Sequence, residues 1–123
     1  MIAFLIVIGV VLFLSNTFYI IQVCGDSMYP TYLNGEIIMG TKLYRKSKLK
    51  IGDVILYQCP TDTERTVIKR IDTIRYRNWV YQFYCLGDNK NNSHDSRDYG
   101  FVHSKHLVCK VINPRRNIYY ECD

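Results

Sequence analysis

Charge is missing from the front of this chain. No residue before Asp26 is acidic or basic, so all 16 Lys+Arg and all 11 Asp+Glu lie from Asp26 onward. The net charge of +5 belongs to that later part alone. Metal-ligand spacing is missing too: the cysteines are scattered, with no C-x-x-C and no histidine at metal-ligand spacing, which argues against a zinc site. The five cysteines (Cys24, Cys59, Cys85, Cys109, Cys122) are an odd number, which excludes complete pairing within one chain and leaves partial pairing open. There is no internal repeat and no low-complexity linker. With 48% hydrophobic and 22% charged residues, the chain is neither a disordered tail nor a collagen-like fibre. Beyond residue 23 no helical period of 3.6 is evident.

What is present at the front is an unbroken apolar run, Ile2 to Leu14. At 1.5 Å per helical residue it reaches about 20 Å, short of a hydrocarbon core of roughly 30 Å. Carrying the helix through Ser15-Asn16-Thr17 to Ile21 gives about 30 Å, so residues 1–21 are expected to form a single transmembrane anchor. A cleaved signal peptide is the competing reading, but a basic n-region and a small-x-small site after Leu14 are both lacking. Orientation is poorly specified, and the nearest basic cluster, between Lys42 and Lys50, would by itself favour a cytoplasmic C-terminal side. That cluster is an ordinary solvated loop or a contact for anionic headgroups.

Residues 22–123 read as a compact, mainly antiparallel β-domain. Expected strands are Glu36–Thr41, Val54–Gln58, Thr66–Ile74, Trp79–Leu86 and His106–Ile112, rich in Ile, Val, Tyr and Phe. Asn34-Gly35 and Gly52-Asp53 mark turns between them. The 11 tyrosines with a basic surplus could serve nucleic acid, yet the basics form no groove with stacking aromatics, so no nucleic-acid partner is expected.

Three polar clusters interrupt the strand pattern. In Gly25-Asp26-Ser27-Met28-Tyr29-Pro30-Thr31, Gly25 frees the backbone and Pro30 blocks a helix, so Ser27 sits on a constrained turn. In Thr66–Ile71, Lys69 shares a strand face with Val67 and Ile71, and desolvation there would lower its pKa. A lysine snorkelling to water is the plainer alternative. The third cluster, Gly87-Asp88-Asn89-Lys90-Asn91-Asn92-Ser93-His94-Asp95-Ser96-Arg97, comes after an apolar strand and would otherwise be a polar turn.

Taken in order, GDSMYPT, VIKRI and GDNKNNSHDSR resemble the motifs of the type I signal peptidase family. Ile51–Ile55 and Tyr99–Val102 resemble the segments that flank them, and the similarity runs from Val23 to Ile112. The resemblance implies a coiled, barrel-like antiparallel fold of the signal peptidase and LexA-like type behind a membrane anchor. It implies a Ser–Lys dyad with Ser27 as nucleophile, Lys69 as general base and Ser93 orienting the lysine. Gly25, Asp88, Asn89, Asp95 and Arg97 fall on structural positions near the site, and Ile21, Val23, Met28 and Ile68 on walls of the substrate pockets. No metal or cofactor is implied. The partners would be signal peptides of exported preproteins and the lipid bilayer, with the catalytic domain on the extracytoplasmic face of the cell membrane. The Gly-x-Pro-Gly-Asp extension usual after the Lys-Arg strand is missing. Gly25 stands where some members place an oxyanion-binding hydroxyl. Other readings are a non-catalytic, membrane-anchored assembly factor and a LexA-like self-cleaving protease.

Overall fold

The computed structural model describes residues 1–112, 114 and 115. Helix α1 spans Ile2–Thr17, and every residue from Ile2 to Asn16 is exposed. It stops four residues before the expected end of the anchor. Ser15 turns its hydroxyl back onto the Leu12 carbonyl, and the Thr17 carbonyl accepts from the N–H of Lys42. Phe18 is already extended, at φ −113° and ψ 143°. Phe18–Gln22 then forms strand β1, whose aromatic and β-branched residues suit a sheet better than a helix. The helix is therefore about 24 Å long, and the expected span through Ile21 is not formed. No helix among the described residues is long and apolar enough to cross a membrane.

The remaining strands are β2 (Ile37–Thr41), β3 (Val54–Cys59), β4 (Asp62–Arg77), β5 (Val80–Leu86), β6 (Val102–His103) and β7 (Leu107–Val111). A single-turn helix, α2, covers Ser96–Tyr99. All seven strands join one sheet in the order β1-β2-β7-β3-β4-β5-β6. Every pairing is antiparallel. The five expected strands are all present within a few residues; β1, β6 and the long extension of β4 are additions. The barrel-like expectation is corrected: β1 and β6 end the sheet without pairing to each other among the described residues, so it stays open.

Strand β5 begins at Val80 rather than Trp79 because Asn78 and Trp79 turn the chain. Both have positive φ (50° and 67°), as a two-residue hairpin connection with right-handed strand twist requires. Buried side chains divide between two clusters. One gathers Leu49, Ile55, Tyr57, Ile71, Phe83, Cys85 and Val102; the other gathers Val23, Met28, Tyr32, Val54, Ile68 and Val111. Neighbouring residues of β3 alternate between them, Val54 to one and Ile55 to the other, as period two demands. Gly40 lets β1 and β7 close over β2: a Cβ there would lie 2.7 Å from Cys109 Sγ and 2.9 Å from Ile21 Cδ1. Cys24, Cys59, Cys85 and Cys109 are free thiols. Cys122 lies outside the described residues.

Candidate active site

Lys69 sits on β4 opposite Ile55 of β3, in the register that also places Ile68 opposite Leu56. Aliphatic neighbours leave it 4% exposed. Its Nζ lies 2.9 Å from the Oγ of Ser27. No carboxylate forms an ion pair with it among the described residues. Burial lowers its pKa to about 8; the Asp95 charge opposes that shift and the Arg65 charge assists it.

Ser27 is carried by the loop between β1 and β2. Val23 donates to the Glu36 carbonyl and closes the loop base, and Gly25, at φ +89°, donates its N–H to Asn34 Oδ1. From the far side Asn89 clamps the nucleophile loop twice. Its backbone N–H donates to the Ser27 carbonyl at 2.8 Å, and its side-chain amide donates to the Asp26 carbonyl at 3.0 Å. The Ser27 N–H donates to no group among the described residues.

Two ion pairs brace the segment that holds Asn89. Arg70 grips Asp88 with two parallel hydrogen bonds of 2.9 Å each and donates a third to the Gly52 carbonyl. Arg97 grips Asp95 in the same two-pronged way, again at 2.9 Å, and also donates to the Lys90 carbonyl. Asp95 accepts from the Gly87 N–H as well. Burial pushes the Asp95 carboxyl up, but the hydrogen bonds from Arg97 and Gly87 outweigh it and hold the pKa below the ordinary value. Gly87 lies where two other segments converge on it: a Cβ there would meet Ser93 Oγ at 2.1 Å and the Ser27 carbonyl oxygen at 2.6 Å. Ser93 Oγ is buried and closes no hydrogen bond of ordinary geometry, although it stands near enough to Asp95 to help lower that carboxyl.

Ser27, Lys69 and Ser93 border one cleft of about 820 Å³. Ile21, Gly25 and Ile68 border it too. Val23 and Met28, expected on pocket walls, lie instead in the core cluster beneath, 2% and 0% exposed. Asp88, Asn89, Asp95 and Arg97 stand behind the cleft as supports. Sequence reasoning missed Arg65, Leu56 and Cys59 on the cleft. The period of two gives a signal for Arg65, which lies four residues before Lys69 on the same strand face. Gly87 was passed over because a close approach between distant segments leaves no local mark.

An amine neutral above about pH 8 can take a proton from a hydroxyl 2.9 Å away, so the pair has the form of a nucleophile beside a base. An open antiparallel sheet carrying such a pair in a cleft defines a class of peptidase-like β-proteins. Residues 1–78 match the family described as "Signal peptidase, peptidase S26", and the chain belongs to that family. It is 32% identical over 114 residues to the mitochondrial inner membrane protease subunit 1 of Schizosaccharomyces pombe, covering 76% of this chain and 73% of that protein. The mouse protein of the same name is 29% identical over 98 residues, 66% of this chain. Signal peptidase I of Buchnera aphidicola is 27% identical over 78 residues, 61% of this chain. The matched part spans 59% of the mouse protein and 25% of the bacterial one.

Removing Asp88 would leave the Arg70 guanidinium largely buried without its carboxylate. Asp88→Ala is expected to destabilise the fold by about 3 kcal/mol, measured by urea unfolding. A loss within the error of the wild-type curve would show that the pair is not a support.

Proposed function

We propose that the chain is a serine endopeptidase that removes N-terminal signal peptides from exported preproteins at small-x-small sites. The observation that carries this reading is the 2.9 Å contact between Ser27 Oγ and a lysine amine that burial has brought to about 8. Neutral Lys69 takes the hydroxyl proton as Ser27 Oγ bonds to the scissile carbonyl carbon. The resulting ammonium returns the proton to the leaving nitrogen as the C–N bond breaks, and water then hydrolyses the acyl ester with Lys69 again as base. The Ser27 N–H, which has no other described acceptor, is the donor for the oxyanion. Gly25 supplies no second hydroxyl. Ser93 is assigned the role of orienting the Lys69 amine because it borders the same cleft and its buried Oγ, beside Asp95, closes no hydrogen bond of ordinary geometry among the described residues.

The substrate lies extended in the cleft. Strand β4 pairs with β5 only from Arg70 onward, which leaves the edge of residues 62–69 away from β3 without a described strand partner. Among the described residues strand β1 pairs with β2 alone, and its Ile21 and Gln22 border the same cleft. Peptide backbone can hydrogen-bond to such edges, while Ile21 and Ile68 give apolar walls suited to small side chains.

This activity sits at a membrane surface. Phe18 and Ile20 of β1 and Ile37 and Met39 of β2 are exposed, continuous with the apolar α1. Lys42, Arg45, Lys46, Lys48 and Lys50, all exposed, come directly after β2 and suit anionic headgroups. On this reading the cleft meets preproteins on the extracytoplasmic side.

Ser27→Ala and Lys69→Ala are each expected to lower kcat/KM on an Ala-x-Ala peptide by at least about 10⁴-fold with the fold intact by circular dichroism. Substantial turnover by either variant refutes the dyad. The protonated amine cannot act as base, so the rate should rise with pH through about 8 and level off above it. A rate that climbs only near pH 10 would mean a solvated amine. Vesicles containing phosphatidylserine should bind the protein more tightly than phosphatidylcholine alone. Replacing Lys46, Lys48 and Lys50 by Gln should remove about 1 kcal/mol per residue of that preference. Binding indifferent to lipid charge would assign the basic loop to solvent.

A further inference from the structure

We propose that Arg65 is a specificity-determining residue that pairs with a carboxylate on the substrate, four positions from the scissile bond. The proposal rests on the peptidase reading and names a feature of its substrates. Arg65, Val67 and Lys69 alternate along β4, with Arg65 closing a bulge in which Asp62 pairs with Cys59 but Thr66 with Gln58. All three border the cleft. Arg65 adjoins Thr66, where regular pairing with β3 begins, so at a rise of about 3.3 Å per residue it lies up to about 13 Å along the strand from Lys69. An extended peptide laid on the open edge of β4 advances at the same rise. The substrate residue beside Arg65 is then four positions from the one beside Lys69.

The charges around the cleft leave this guanidinium uncommitted. Arg65 is exposed and makes no hydrogen bond or ion pair with any described residue. Of the acidic side chains on the cleft, Asp98 already pairs with His94 at 3.1 Å, and Asp26 adjoins Ser27 at the other end of the row. The positive field of Arg65 is nonetheless felt at the reacting end, since it helps to keep the Lys69 amine neutral. A planar, permanently charged fork four residues from the base suits a carboxylate, which it can grip with two hydrogen bonds. The site stays solvated until substrate covers it, so the gain is that of a partly exposed pair, about fivefold.

The test uses the full chain in detergent and a neutral parent peptide with an Ala-x-Ala site. Asp, Ala or Lys is placed four residues before or four residues after the bond, with placements two residues away as controls. Asp at one of the two fourth positions is expected to lower KM about fivefold with kcat unchanged. Arg65→Ala should erase that gain, and Arg65→Glu should transfer it to Lys. Anisotropy measurements of the same peptides binding to Ser27→Ala protein should show the same order without turnover. Charge-dependent binding in the absence of any cleavage would overturn the dyad reading and leave Arg65 in its role. Equal binding of Asp, Ala and Lys peptides by proteins with Arg65 and with Arg65→Glu overturns the proposal, as does failure of every peptide to bind.

Discussion

A lysine amine taken out of water, with no carboxylate among the described residues paired to it, sets the terms for the rest of this molecule. Lys69 is 4% exposed, and its nearest polar contact is the Ser27 hydroxyl. An unpaired ammonium in such a place would cost several kcal/mol, so the group sheds its proton near pH 8 instead. That state is useful only while the hydroxyl stays within reach. Ser27 lies on a loop 42 residues away in the chain, and a loop tolerates no such constraint unless other groups pin it.

The pinning comes from the segment after β5. Asn89 holds the Asp26 and Ser27 carbonyls, and the residues on either side of it are fixed by two-pronged arginine contacts, Arg70 on Asp88 and Arg97 on Asp95. Arg70 is the residue next to Lys69, with its side chain on the opposite face of β4. One strand therefore presents the amine on one side and anchors the clamp on the other. Gly87 completes the arrangement by leaving room for Ser93 against the Ser27 backbone.

How much of this was legible in the sequence differs by element. Strands β2, β3, β5 and β7 were readable because β-branched and aromatic residues cluster between clear turn signals. The end of α1 was not: FYIIQ continues the uncharged front end with no Gly or Pro to stop the helix, and its pairing with β2 fixes it as a strand. The barrel was overdrawn because closure depends on whether edge strands meet, which local composition does not encode. That Ser27, Lys69 and Ser93 would share one cleft was legible in the order of three motifs. Val23 and Met28 were expected on pocket walls from the family resemblance, yet they lie in the core beneath.

Sequence alone determined which chemical groups are on offer. It supplied a serine on a constrained turn, a lysine among aliphatic residues on a strand, and a charge-free front end, since residue types and period two survive without any fold. Tertiary structure decided whether the serine and lysine meet, how far the amine is desolvated, where the apolar helix stops and which edge of β4 remains open. These are properties of distances between remote segments, and a one-dimensional string holds no record of them until the strands pair.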